Sequence, residues 1–236
     1  MTHITNPYPP LGCIEERLFG EAAAVDAPSA AEMLPEPAEP AAATVLPGWL
    51  SERIRQLASQ REVPPPACPA PGQIWSLAYQ GERAGQNLNG RIPVLLDRAL
   101  EDGRWQGWLV SGDSDYAASD DLLLNPREQA VSPLATLVQA WNGVQAAWDE
   151  AAPFLGHIDA AALENVRLLA CASPTLGVPH AQPGQACWRE IKPGRLLLTG
   201  QPLGDAHDPR WAYRQLYRQF ALACLPELAN RNEFDV

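Results

Sequence analysis

Lysine is nearly absent from this chain: Lys192 stands alone among seventeen basic residues, the other sixteen being Arg, against twenty-eight Asp and Glu in 236 residues. The formal net charge of −11 repels a phosphate backbone unless a local patch reverses the sign, which excludes general nucleic-acid binding as the default. The Arg bias reads as the mark of a GC-rich bacterial genome. Cysteine is sparse and odd in number. Cys13, Cys68, Cys171, Cys187 and Cys224 contain no C-x-x-C and match no zinc spacing, so neither a disulfide framework nor a structural zinc module is signalled. Long apolar runs are also missing, and no stretch approaches the ~18 residues that a membrane span needs. The first residues carry no basic segment followed by an apolar one, so a reduced, cytoplasmic chain is expected.

The usual catalytic signatures are absent as well. His3, His157, His180 and His207 are scattered, with no pair at i+3 or i+4 that would suggest metal ligation. There is no G-x-S-x-G elbow, no G-x-x-x-x-G-K-[ST] loop and no G-x-G-x-x-G turn, so conventional hydrolase, kinase and dehydrogenase readings lack their parts. No cofactor and no metal are expected. The acidic run Asp113, Asp115, Asp120 and Asp121 lacks the glycine and the closing glutamate of a calcium loop and reads as solvated turn carboxylates.

What the chain does have is proline, glycine and tryptophan: 24 Pro, 17 Gly and 8 Trp with 46% hydrophobic residues, a composition that allows a sizeable core interrupted by many turns. Residues 1–48 hold Glu15, Glu16, Glu21, Asp26, Glu32, Glu36 and Glu39 against Arg17 alone. Residues 26–48 alternate Pro, Ala and Glu without aromatics, a composition that cannot offset the entropy of ordering. Residues 1–48 are therefore expected to form a flexible or extended acidic arm. Within it Ile14, Leu18 and Phe19 share one short apolar face, as a docking peptide or as a frayed tail. Residues 49–70 read as a short amphipathic helix from Trp49 followed by a Pro-rich strap. The globular domain is expected over 71–229, with a tail at 230–236.

Inside that domain, apolar runs at Gln73–Tyr79, Ile92–Leu96 and Trp105–Val110, bounded by turn residues, read as three antiparallel strands. Ser132-Pro133 offers a cap and a first-turn proline, and Leu134, Leu137, Val138, Trp141, Val144 and Trp148 follow at helical spacing, which predicts a helix. Asp159 caps a second predicted helix ending near Cys171. Ala186–Ile191 and Arg195–Gln201 resemble a hairpin, and Asp208-Pro209 opens a last helix carrying Tyr213, Leu216, Tyr217 and Phe220. The order predicts an α+β fold: a small curved antiparallel sheet or SH3-like barrel covered by helices. Trp75, Trp105, Trp108, Trp141, Trp148, Trp188 and Trp211 fall in these elements and are expected to anchor its core.

Pro71-Gly72-Gln73-Ile74-Trp75, then Gly90-Arg91-Ile92-Pro93-Val94-Leu95-Leu96, then Trp108-Leu109-Val110-Ser111 together resemble the opening of the PemK/MazF toxin family. That family's small SH3-like barrel begins with a P-G-x-I-W strand and continues through an R-x-P-V-L-V strand. The resemblance spans residues 71–111 and implies cleavage of single-stranded RNA, with Arg91 stabilising charge on phosphorus and Ser111 standing where the family places a Ser or Thr. The chain departs from that pattern in charge, since residues 72–126 carry eight acids against four arginines, a surface that repels RNA.

Arg210, Arg214 and Arg218 recur at i, i+4 and i+8 on the last helix, so their side chains form one stripe. It reads as a solvated face, as a site for an acidic protein partner or as a cradle for the acidic arm. Trp49, at the junction of the arm and the short helix, either docks back on the domain or anchors a partner. With no catalytic set assembled, the chain is expected to be a non-catalytic adaptor or accessory subunit of a bacterial multi-protein system, contacting another protein through the arm or the Arg stripe. Two other readings stand beside it: a PemK/MazF-like endoribonuclease or degenerate relative, and a structural component of a large assembly.

Overall fold

The computed structural model describes residues 8–20, 65–125, 129–172 and 183–225. The chain divides into two units, residues 1–22 with 65–236, and residues 23–64; the second lies outside the described residues, and with it Trp49, the helix expected from it and most of the acidic arm. The first unit is α+β, as the element pattern predicts.

Eight strands form one curved antiparallel sheet: β1 (Gln73–Arg83), β2 (Gln86–Ala99), β3 (Arg104–Ser111), β4 (Leu122–Leu123), β5 (Leu137–Ala147), β6 (Phe154–His157), β7 (Ala186–Lys192) and β8 (Arg195–Gly200). Their order across the sheet is β6-β1-β2-β3-β5-β4-β8-β7. Three α-helices accompany it among the described residues: α1 (Leu11–Phe19), α2 (Ala160–Cys171) and α3 (Pro209–Cys224). No described helix is long and apolar enough to cross a membrane.

β1 and β2 run longer than their apolar cores predict, because they are closed by a two-residue turn at Ala84-Gly85. Both turn residues have positive φ, 52° and 80°, the twist that lets strands continue as a right-handed hairpin. The stretch Gln86–Gly90, which lies outside the apolar runs, is thereby strand. Gly90 sits opposite Tyr79, and a Cβ there would meet the phenol oxygen at 2.7 Å, so the glycine makes room for the Tyr79 ring.

Successive strand residues face opposite sides, and here both sides are covered. One side carries Trp75, Leu77, Tyr79, Ile92, Val94, Leu109 and Leu137, packed with residues of α1 and α3. The other carries Ile74, Leu95, Trp108, Val110, Val138 and Ala140 with Leu163, Val166 and Leu169 of α2. Asp159 caps α2 by accepting from the Ala162 amide at 2.7 Å. Asp208 caps α3, with Pro209 in its first turn and the Arg210 amide donating at 3.0 Å. Each such cap contributes about 1 kcal/mol.

The predicted helix after Ser132-Pro133 is instead β5. The reason is double coverage: Leu137 and Val144 enter the first cluster while Val138 and Ala140 enter the second, so the segment is apolar on both faces and imitates helical spacing. Ser132 closes only one turn, its carbonyl accepting from the Ala135 amide at 2.9 Å. Trp148 lies past the strand and packs edge-on against Trp75, 5.7 Å between centroids.

The β7–β8 hairpin lies where it is expected but is sparsely joined to the rest of the sheet. Its link to β4 is the Leu122–Thr199 pair, supplemented by an isolated bridge between Ala118 and Gln201. β7 is an outer strand whose pairing shifts register between Glu190 and Lys192. Trp188 does not anchor the core; it is 68% exposed.

Candidate functional site

Buried polar side chains gather beneath α1 and α3, around the segment after β3, where a 3₁₀ turn (Ser114–Tyr116) and the run Ala117–Asp121 meet α3. Three arrangements meet there. The first centres on Arg210, which is 1% exposed. Its guanidinium donates to both Asp208 oxygens and to the carbonyls of Ala117, Gln201 and Pro202, the last two at 2.7 Å. A guanidinium carries five N–H donors, and these acceptors tie the start of α3 to the ends of β8 and the 3₁₀ turn.

The second centres on Arg214, which forks onto Asp120, approaches Asp121 at 3.5 Å and lies 4.8 Å over the Trp141 ring. Asp121 accepts from the Trp141 indole and the Ala118 amide, both at 2.8 Å. Burial pushes the Asp121 carboxyl up to about 7; Arg214 pulls the other way and neighbouring Asp120 adds to the rise. One arginine is thus shared by two buried carboxylates, Asp120 and Asp121, 2% and 1% exposed. These two are not the solvated turn residues that the sequence suggests.

The third joins α1 to the domain. Asp113 accepts from Arg17 at 2.6 Å and from the Tyr217 hydroxyl at 2.9 Å, and its amide donates to Ser111 Oγ at 3.2 Å. Ser111 Oγ and the Tyr213 hydroxyl are 3.0 Å apart, and Gln139 Nε2 donates to the same hydroxyl at 2.9 Å. Tyr116 stacks on Tyr213, centroids 4.5 Å apart, and donates to the Pro9 carbonyl. Burial, with the Asp113 charge, raises the phenols of Tyr116, to about 12, and of Tyr217; Tyr213, buried beside Tyr217, rises likewise. At neutral pH these hydroxyls are donors and not bases.

The Arg stripe therefore needs correction as a partner surface. Arg210 and Arg214 are buried and engaged by Asp208, Asp120 and Asp121, and only Arg218 of the three is partly exposed. The acids that hold Arg214 lie more than ninety positions away in the chain, beyond the reach of a helical-spacing argument. Trp49 lies outside the described residues.

The two residues of the ribonuclease reading are not brought together. Arg91 pairs with Ala78 on the side of the sheet that Ile74 and Leu95 share, and its guanidinium donates to both Asp149 oxygens, at 3.1 and 3.2 Å, and to the Ser76 carbonyl. Ser111 faces the opposite side, against Tyr213, and is 4% exposed. Among the described residues His157 and His207 are exposed, and no group of three or more His, Cys, Asp or Glu is placed to hold a metal ion. An open recess of about 220 Å³ beside α1 is lined in part by Pro10, Cys13, Gly112 and Asp115, below the size of most small-molecule sites.

Sequence reasoning missed Trp188. Its signal was the period of two: Trp188 shares a face with Glu190 and Lys192, and charged neighbours at i+2 and i+4 mark the solvent side of a strand. Across the hairpin it meets Leu198, and Glu190 meets Leu196, which is 59% exposed.

No protein-family model matches the chain, and no curated protein matches it. Among solved structures it is similar to a MazE–MazF complex from Deinococcus radiodurans, 19% identical over 45% of this chain and 94% of that one, with TM-score 0.33. MazF from the same organism is 20% identical over 43% of this chain and 92% of that one, TM-score 0.31. A mycobacterial endoribonuclease in complex with its cognate antitoxin is 17% identical over 43% and 87%, TM-score 0.28. The chain thus bears a weak, partial resemblance to MazF-type toxins over less than half its length, as the motifs of residues 71–111 suggest, and no activity follows from a likeness of that size.

Proposed function

We propose that this chain is a non-catalytic protein-binding module, an adaptor or accessory subunit of a bacterial multi-protein system, and that it receives an extended segment of its partner along β7. The observation that carries this reading is the exposed apolar face of an outer hairpin, with Trp188 and Leu196 68% and 59% exposed. Trp is the residue most enriched among those that dominate binding energy at protein interfaces. An outer strand also offers unpaired main-chain donors and acceptors, which a partner strand satisfies while the side chains of alternate residues set specificity. Glu190 and Lys192, on the same face of β7 as Trp188, supply charges beside the apolar pair, the arrangement of a recognition surface with an apolar centre.

The test compares the intact chain with Trp188→Asp and Leu196→Asp in affinity capture from the source cell, quantified by mass spectrometry, beside thermal melts of the purified proteins. A stoichiometric partner retained by the unaltered chain and lost by both variants at unchanged melting temperature is the expected result. Identical recovery by all three overturns the hairpin as the contact. RNA cleavage by the purified chain that disappears in Arg91→Ala overturns the non-catalytic reading itself.

A further inference from the structure

α1 has the chemistry of a bound peptide. It spans nine residues and begins at Pro10 with no side-chain cap, and an isolated helix that short does not hold its shape in water. Its conformation therefore depends on what it lies against. Ile14 and Leu18 are each 4% exposed and Phe19 is 9% exposed. Phe19 packs edge-on against Phe220 at 5.8 Å and under the Arg83 guanidinium at 3.9 Å. Arg17 reaches Asp113 at 2.6 Å, and Glu15 receives Arg83 at 3.0 Å. Upstream, Tyr8 packs beside Tyr116, whose hydroxyl donates to the Pro9 carbonyl. The chain from Gly20 back to the sheet runs through residues 21–64, so α1 is covalently remote from the surface it covers.

We infer that the groove under α1 is an interaction site for an amphipathic helix of a partner protein, and that α1 is its resident occupant, displaced when that helix binds. The groove dictates the partner's chemistry. Aliphatic side chains take the places of Ile14 and Leu18, an aromatic ring takes the place of Phe19 between Phe220 and Arg83, and a guanidinium takes the place of Arg17 on Asp113. Charge complementarity selects that last group: the Asp113 side chain is 12% exposed and, without Arg17, retains only hydroxyl donors. Laying the apolar face of an amphipathic helix into a hydrophobic groove is an established mode of recognition. Covalent tethering makes α1 an intramolecular competitor, so a competing segment must carry these anchors to succeed, and its apparent affinity falls by the fraction of grooves that α1 occupies. This site is on α3 and β1, apart from the β7–β8 hairpin, so it stands or falls independently of the adaptor contact there.

A labelled peptide of residues 8–20 is the probe, titrated by fluorescence anisotropy into the full chain and into a full chain carrying Leu18→Asp, which weakens the resident helix. The expected result is apparent binding at least ~10-fold tighter to the variant than to the unaltered chain, and a ~10-fold loss when the peptide carries Arg17→Ala. That second loss disappears when the receiving chain also carries Asp113→Asn. Equal affinity for both chains, or no saturation in either, overturns the inference. A second format does not depend on Leu18→Asp folding: a protease site placed within residues 21–64 is cleaved, and the released N-terminal piece is exchanged against the labelled peptide. Exchange at room temperature with the sheet intact supports the inference, and retention of the piece until the domain melts overturns it. If rising concentration of the unaltered chain yields a dimer that the peptide dissolves, the occupant is a second copy and the partner assignment fails.

Discussion

The two ends of the sheet use their side chains in opposite ways. At the β1–β2 end, aromatic rings from α1, α3 and the strands interlock, and from there along α3 to the end of β8 the charges are consumed internally: Arg17 by Asp113, Arg214 by Asp120 and Asp121, Arg210 by Asp208. At the β7–β8 end, Trp188 and Leu196 stand in solvent, while the hairpin is held on its other face by the Leu122–Thr199 pair, the Ala118–Gln201 bridge and the buried Leu197. A large side chain is buried into the core in the first setting and left to solvent in the second, where the proposed partner contact would use it. The same residue type, Trp, thus changes meaning with the face it occupies.

The largest effect that sharpens this contrast is expected from Arg214→Ala. Removing the shared guanidinium leaves Asp120 and Asp121 buried without their cation, a loss of about 3–5 kcal/mol to be read by urea unfolding. A loss under about 1 kcal/mol, the range of an exposed pair, would break the comparison by showing the triad to be solvated.

Next comes a pH effect from the same place. The Asp121 carboxyl is raised by burial to about 7, above its unfolded value of about 4, so the folded chain keeps a proton that the unfolded chain releases between those values. Its contribution to stability is therefore complete below about pH 4 and is lost as pH rises through about 7. Asp208 has the opposite sign and a different window: burial opposes ionisation, but the Arg210 hydrogen bonds outweigh it and lower the carboxyl, so its contribution is lost only as pH falls below the usual carboxylate range. The melting temperature is expected to decline from pH 5 toward pH 7.5, and Asp121→Asn is expected to flatten that slope. An unchanged slope in the variant refutes the assignment to Asp121.

Smaller effects follow at exposed positions. Arg91→Ala removes a pair whose side chains are 35% and 40% exposed, for a change of about 0–1 kcal/mol in denaturant unfolding. Trp188→Asp is expected to move unfolding by no more than about 0.5 kcal/mol, because the ring leaves no cavity. A cost of several kcal/mol at Trp188 would place it with the core tryptophans and erase the difference between the two ends.

Where folding signals are local, the fold was legible from sequence. Asp159 and Asp208-Pro209 announce α2 and α3, the Pro71-Gly72 turn announces β1, and Lys192-Pro193-Gly194 announces the last hairpin. β5 was not legible as a strand, because a segment buried on both faces loses the alternation that marks one. Of the candidate site, Arg210, Arg214, Ser111 and Arg91 were singled out for reasons of spacing or motif, yet their partners decide their roles. Asp120 for Arg214, Tyr213 for Ser111 and Asp149 for Arg91 are all supplied from distant parts of the chain. The Asp113–Arg17–Tyr217 junction left no sequence signal at all, since it unites three remote segments.

The register shift in β7 between Glu190 and Lys192 has a bearing on how many chains one edge can recruit. A kink at that point leaves only the stretch from Ala186 to Glu190 straight enough to accept a neighbour. On the proposed reading, a guest strand laid there would be stopped after a few residues, so the edge would take one short visitor and would not template the endless stacking that open sheets invite.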